Sequence, residues 1–128
     1  MIRRLFLVLA ALCAAIAAPM PAAAQPTRTL DAFVADANRI PMNATAMLRP
    51  SARRLMTEAS TAMGAVVEEA RTAQAAGRPN GACPPEKIQV NAQQVLRFLN
   101  AIPQPRRARM SVRDGFRAWL VDGYPCRA

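Results

Sequence analysis

A small all-α bundle of four helices stapled by one disulfide is the fold class this sequence predicts, and three observations carry the prediction. Beyond residue 28 the apolar residues recur at i, i+3, i+4 and i+7 in separate stretches, the period of a helix with one buried face. Alanine is abundant while aromatic residues make up only 5% of the chain, a balance that suits closely packed helices better than strands. Of the three cysteines, Cys13 lies in an apolar leader, so Cys83 and Cys126 remain as an even pair. With 128 residues the chain has room for one domain, and its 52% apolar content is enough to build a core.

Residues 1–24 read as a cleavable export signal. Met1-Ile2-Arg3-Arg4 supplies a basic start, Leu5 to Ala18 an apolar run, and Ala22-Ala23-Ala24 a small-residue cut site. As a helix the run would reach about 21 Å, short of the roughly 30 Å hydrocarbon core, so no stable membrane anchor is expected. Arg3-Arg4-Leu5-Phe6-Leu7 partly matches a twin-arginine signal, but the short basic region and strongly apolar run favour ordinary secretion. Bulky Leu12 ahead of Cys13 argues against a lipoprotein site, and Cys13 is expected to leave with the leader. Cleavage after Ala24 yields a single helical domain, residues 25–128, in the periplasm or outside the cell. In that oxidising setting a Cys83–Cys126 disulfide is favoured, and closing a loop of about 44 residues contributes roughly 4 kcal/mol by chain entropy.

Thr29 is placed to cap a first helix whose buried stripe is Leu30, Phe33, Val34 and Ala37; Asp31 sits near its positive end, and the helix stops before Pro41. Ile40 to Pro50 has a proline near each end and no sustained period, and reads as a connector with room for one helical turn. Ser51 caps a long second helix striped by Leu55, Ala59, Ala62, Met63, Val66, Ala70 and Ala73 and stopped at Gly77. On its outer face Arg54/Glu58 and Glu68/Arg71 are spaced for ion pairs. Glu68 and Glu69 point about 100° apart, which argues against a shared catalytic carboxylate site.

Gly77 to Pro85 is a turn-rich segment that delivers Cys83. Asn91 caps a third helix, with Gln94 as its capping-box partner and Val90 packing on Val95; Val95, Phe98, Leu99 and Ile102 form the buried stripe and Pro103 ends it. After a basic turn from Pro103 to Arg109, Ser111 and Asp114 form a capping box that opens the fourth helix, with Val112, Phe116, Trp119 and Leu120 on one face. Gly123 ends it, with Tyr124 folding back on Trp119 in a Schellman-type stop. The last two helices span about twelve residues each, roughly 18 Å, so antiparallel packing brings Cys83 beside Cys126.

Histidine is absent, which removes Ser-His-Asp and Cys-His nucleophiles and His-based zinc or haem sites; three cysteines cannot build a four-thiolate metal site. No catalytic residue, metal or cofactor is assigned, and the chain is expected not to be an enzyme. Without the leader, 15 basic residues stand against 8 acidic ones, a net charge of +7, and every basic residue but Lys87 is arginine. Neither a zinc or helix-turn-helix signature nor aromatic-basic interleaving accompanies this charge. The expected partner is therefore an anionic protein surface, peptidoglycan or lipid headgroups, and no nucleic acid.

Cys83-Pro84-Pro85, the helical segment Val95-Leu96-Arg97-Phe98-Leu99, a proline and arginine turn, a helix carrying Phe116 and Leu120, and Tyr124-Pro125-Cys126 together resemble the Rap1a/Tai immunity family of small exported bacterial proteins. The resemblance implies an all-helical, disulfide-bonded periplasmic protein that binds and blocks type VI secretion effectors cutting peptidoglycan as amidases, often as a homodimer. Upstream, Ala59 to Val66 stands where many members carry another cysteine and a Tyr-Ile-x-Gly-like segment; only Gly64 and the helical register agree, so no contact residue carries over. From the residues themselves, Arg106, Arg107 and Arg109 form the candidate partner-contact loop. A proline-stiffened turn loses little entropy on docking, and arginines suit acidic clefts. The alternative expectation is a small non-enzymatic envelope or stress protein of chaperone type, against which stands the shortage of carboxylates for an acid-triggered switch.

Overall fold

The computed structural model describes residues 28–127; the expected leader, with Cys13 and the cut after Ala24, lies outside them. The Thr29 hydroxyl accepts the Ala32 N–H at 3.2 Å and starts α1 (Leu30–Asn38), which buries Leu30, Phe33, Val34 and Ala37 on one face. The connector holds the single turn for which it has room: Asn43 accepts from the Ala46 N–H at 2.8 Å and opens α2 (Ala44–Met47). Next comes α3 (Pro50–Ala75), 26 residues long. Its start differs from expectation. Pro50 rather than Ser51 marks the boundary, as the first helical residue, and Arg49 before it makes no side-chain cap. Proline's fixed φ and missing N–H suit that position, so no capping hydroxyl is needed. At the far end Gly77 adopts φ +69°, and the N–H groups of Arg78 and Gly77 reach the carbonyls of Ala73 (2.9 Å) and Gln74 (3.0 Å) in a Schellman stop.

Asn91 caps α4 (Ala92–Ala101) by accepting from the N–H groups of Gln93 (3.0 Å) and Gln94 (3.2 Å), without the expected reciprocal bond from the Asn91 N–H to the Gln94 side-chain oxygen. Asn91 is open to water, so its own N–H has a partner without Gln94. Val90, ahead of the cap, is half-exposed. A further single turn, α5 (Gln104–Arg107), follows Pro103. The capping box then opens α6 (Val112–Gly123): the Ser111 hydroxyl accepts the Asp114 N–H at 3.1 Å, and the Asp114 carboxylate accepts the Ser111 N–H at 3.0 Å. α6 closes without a left-handed residue, contrary to the expected Schellman-type stop. Gly123 remains helical and the Tyr124 N–H bonds to the Leu120 carbonyl at 2.9 Å, while the Tyr124 ring does meet Trp119 edge-on at 6.3 Å. The described residues thus form an all-α bundle of four longer helices and two single turns.

Leu30, Val34, Val66, Leu99 and Leu120 are the largest fully buried side chains and come from all four longer helices. α6 lies mainly along α3, and the rings of Phe33 and Phe116 meet edge to face at 5.9 Å between α1 and α6. Gly115 lets these two helices touch: a Cβ there would stand 2.6 Å from a Leu30 methyl. Cys83 and Cys126 form the expected disulfide. The route differs from simple α4–α6 pairing, since the cysteines meet through an antiparallel bridge between extended segments. The Cys83 N–H bonds to the Tyr124 carbonyl (2.8 Å) and the Cys126 N–H to the Gly81 carbonyl (3.1 Å). A second such bridge, Thr29 to Ser111, ties the starts of α1 and α6.

The ion pairs expected along α3 give way to longer-range ones. Glu58 is gripped on both oxygens by Arg28, which also binds Asp36, so Arg54 is left without it. Arg71 donates to the carbonyls of Pro85 (3.2 Å) and Glu86 (2.7 Å) rather than pairing with Glu68. Glu69 pairs with Arg117 of α6 at 2.9 Å. A fork-like two-point grip by a partly covered guanidinium outweighs the few tenths of a kcal/mol, about 0.3–0.5, of an exposed pair along one helix.

Candidate functional site

The three arginines of the expected contact loop have two different fates. Arg107 is only 14% exposed in its side chain. Its Nε donates to Asp31 Oδ1 at 3.2 Å, and its Nη1 donates to the carbonyls of Asn100 (3.0 Å) and Ile102 (2.9 Å). Those carbonyls lie at the end of α4, where helical partners run out, and a guanidinium supplies donors and favourable charge together. Gln104 adds a bond to the other Asp31 oxygen at 3.2 Å. Arg107 is therefore an internal brace that fixes α5 to α1 and α4, which corrects its expected role as an outward contact. Arg106 and Arg109 are exposed. The result is a preorganised basic corner carrying two outward arginines.

A second feature is a cleft of about 380 Å³ walled by α1, α2, α3 and α4, with Phe116 of α6 also lining it. Its rim and walls include Met42, Met47, Met56, Met63 and Val90. Met42 is 51% exposed, Met56 45% and Val90 50%, so the cleft opens along one side. Reciprocal amide bonds between Asn38 and Asn100, 2.9 and 3.1 Å long, pin α1 to α4 beside it. Among the described residues that line it, only Ser60 has a polar side chain. Methionine is unbranched and polarizable, and fills irregular contacts with ligands of varied shape.

Next to the cleft lies a charged recess, and Ile40 and Leu55 line both. The recess holds Arg28, Arg39, Arg49 and Arg54 against Asp36 and Glu58, four positive groups to two negative ones. Hydrogen bonding to Glu58, opposed by desolvation and reinforced by Asp36, raises the Arg28 pKa further above its already high ordinary value. Both carboxylates are thus engaged by Arg28, and Arg39 comes only within 4.0 Å of Asp36. Arg39, Arg49 and Arg54 lie on the exposed rim as an excess of positive charge.

Glu68 and Glu69 do not converge: Glu68 is exposed and Glu69 holds Arg117, whose pKa is raised chiefly by that hydrogen bond. Among the described residues there is no cluster of His, Cys, Asp or Glu fit for a metal, and no helix long and apolar enough to cross a membrane. The cleft escaped the sequence reading. Its signal was present in the apolar residues Ile40, Met42 and Met47 of a connector without helical period, and in Met56 and Met63 seven residues apart. Compared with family models, curated proteins and solved structures, the chain matches none.

Proposed function

We propose that this chain is an exported, non-catalytic binding protein of immunity type, which docks its basic corner on a secreted peptidoglycan amidase and covers the enzyme's active site. The observation that carries the reading is the braced α5 turn: Arg107 is consumed internally, and the exposed Arg106 and Arg109 are presented on a rigid base. A preorganised surface loses little conformational entropy on binding, and clustered arginines speed encounter with an acidic cleft. The Cys83–Cys126 disulfide fits an oxidising compartment, in line with the leader read from residues 1–24. The resemblance of the segment from Cys83 to Cys126 to the Rap1a/Tai family supplies the class of target. Inhibition of this kind makes and breaks no bond; it works by occlusion.

Co-expression with exported peptidoglycan amidase effectors tests the proposal. The expected outcome is protection from lysis and an isolable complex with one of them. Reversing both outward charges, Arg106→Glu with Arg109→Glu, is expected to weaken that complex at least tenfold at low salt, chiefly through slower association, with the melting temperature unchanged. Absence of protection and of any complex across the effectors would overturn it. Sedimentation of the purified protein reads the homodimer that the resemblance implies.

A further inference from the structure

We infer that the methionine-lined cleft is a binding site for a single-chain amphiphile with an anionic head, its hydrocarbon tail lying among α1, α3 and α4 and its head beside Arg39, Arg49 and Arg54. This site is separate from the basic corner and does not rest on the immunity reading. The first argument is chemical. The cleft walls offer one hydroxyl, that of Ser60, and otherwise only apolar side chains. An extended peptide backbone or polar metabolite placed there would surrender its hydrogen bonds to water without replacement; a hydrocarbon tail has none to surrender. The second argument is size. About 380 Å³ falls in the range of small-ligand pockets and, at about 30 Å³ per water-sized group, accommodates on the order of a dozen methylenes.

Charge decides the head group. The cleft meets the charged recess at Ile40 and Leu55, and the recess carries two more positive groups than negative ones. Its carboxylates are both held by Arg28, which leaves the exposed Arg39, Arg49 and Arg54 facing solvent where a head group would emerge. A second copy of this chain fits poorly as occupant. A two-fold axis through the cleft would set concavity against concavity and arginine rim against arginine rim. Methionine walls also suit tails of differing length, because they repack without strain.

Titration calorimetry of the purified, disulfide-bonded protein below the micellar range provides the test. The probes are decanoate, dodecanoate, tetradecanoate and a fourteen-carbon lysophosphatidylglycerol, with dodecyltrimethylammonium as the cationic control. One saturable site is expected, with affinity rising about fourfold per methylene until the cleft is full. The anion is expected to bind at least tenfold more tightly than the cation of equal chain length, the margin shrinking with salt. Stronger binding of the lysophospholipid would identify a phosphate-bearing lipid as the source, and stronger binding of tetradecanoate a free fatty acid. Met56→Glu, at a half-exposed rim position where folding is tolerant, should reduce binding more than tenfold with an unchanged circular dichroism spectrum. Arg39→Gln with Arg54→Gln should narrow the anion preference while leaving dodecanol binding unchanged. Absence of saturable binding, equal binding of cation and anion, or an inert Met56→Glu would overturn the inference. So would a dimer in sedimentation that Met56→Glu dissociates, or an apolar peptide that displaces the fatty acids at lower concentration.

Discussion

Replacing Gly115 by alanine probes the closest approach between α1 and α6. Gly115 is buried in the first turns of α6, and an added Cβ would stand 2.6 and 2.7 Å from the two Leu30 methyls and 3.2 Å from its Cγ. Carbon atoms settle at about 3.5–4.0 Å, so the overlap is roughly 1 Å against two atoms at once. Leu30 is 0% exposed and cannot swing into solvent. Alanine gains about 1 kcal/mol over glycine within a helix, while overpacking costs about 1–3 kcal/mol. With a whole buried leucine to displace, the upper end applies, and Gly115→Ala is expected to lose about 1–2 kcal/mol, a fall of roughly 5–15 °C in melting temperature. The sign should reverse once the obstacle is removed. Leu30→Ala alone costs about 2–5 kcal/mol, but on that background Gly115→Ala recovers its helical gain and fills part of the cavity. The cycle of single and double variants should therefore show a coupling of about 2–3 kcal/mol, read by urea and thermal unfolding of the oxidised protein. A neutral or stabilising Gly115→Ala in the parent, or the same effect in both backgrounds, would refute the close crossing of α1 and α6.

Three further outcomes are expected. Cys83→Ser with Cys126→Ser should lower stability by roughly 4 kcal/mol, the chain-entropy value for a loop of this length; a loss in urea unfolding below about 1 kcal/mol would contradict it. The Ser111 N–H, its strongest contact, holds the Asp114 carboxyl below its ordinary pKa, with the Ser111 hydroxyl and Arg117 helping against desolvation. The folded state thus binds that proton more weakly than the unfolded one, so the stabilisation is complete above about pH 4 and disappears as pH falls through the depressed value. Asp114→Asn should accordingly be less stable than the parent at neutral pH, with the gap narrowing in acid; a gap independent of pH would contradict the linkage. Finally, Arg107→Ala should destabilise by about 1–3 kcal/mol because it strips partners from Asp31 and two carbonyls, whereas Arg106→Ala and Arg109→Ala should stay within about 0.5 kcal/mol. Equal melting temperatures for all three would show that Arg107 braces nothing.

The parts of the fold that were legible in the chain depend on near neighbours. Thr29, Asn91 and Ser111 cap because their side-chain oxygens meet N–H groups two or three residues ahead, and each does so here. The stripes Leu30, Phe33, Val34, Ala37 and Val112, Phe116, Leu120 are buried because spacing alone puts them on one helical face. Ser51 misled because Pro50 competes for the same boundary, and both residue types signal a helix start. Arg54–Glu58 misled for another reason: its rival, Arg28, lies thirty residues away and approaches only after folding. The same holds for the expected contact loop. Arg106, Arg107 and Arg109 look alike in sequence, and only the arrival of Asp31 and the end of α4 turns Arg107 inward.

By itself the sequence determined the helical class, the order of the four longer helices, most of their ends and the pairing of Cys83 with Cys126, because periodicity, caps and cysteine count act over short range or by elimination. Tertiary structure decided which arginine faces water, which carboxylate answers which cation, and that four methionines scattered from Met42 to Met63 wall a single cleft. Those outcomes are set by which distant surfaces exclude water together, a property of the assembled helices that no local window of the chain contains.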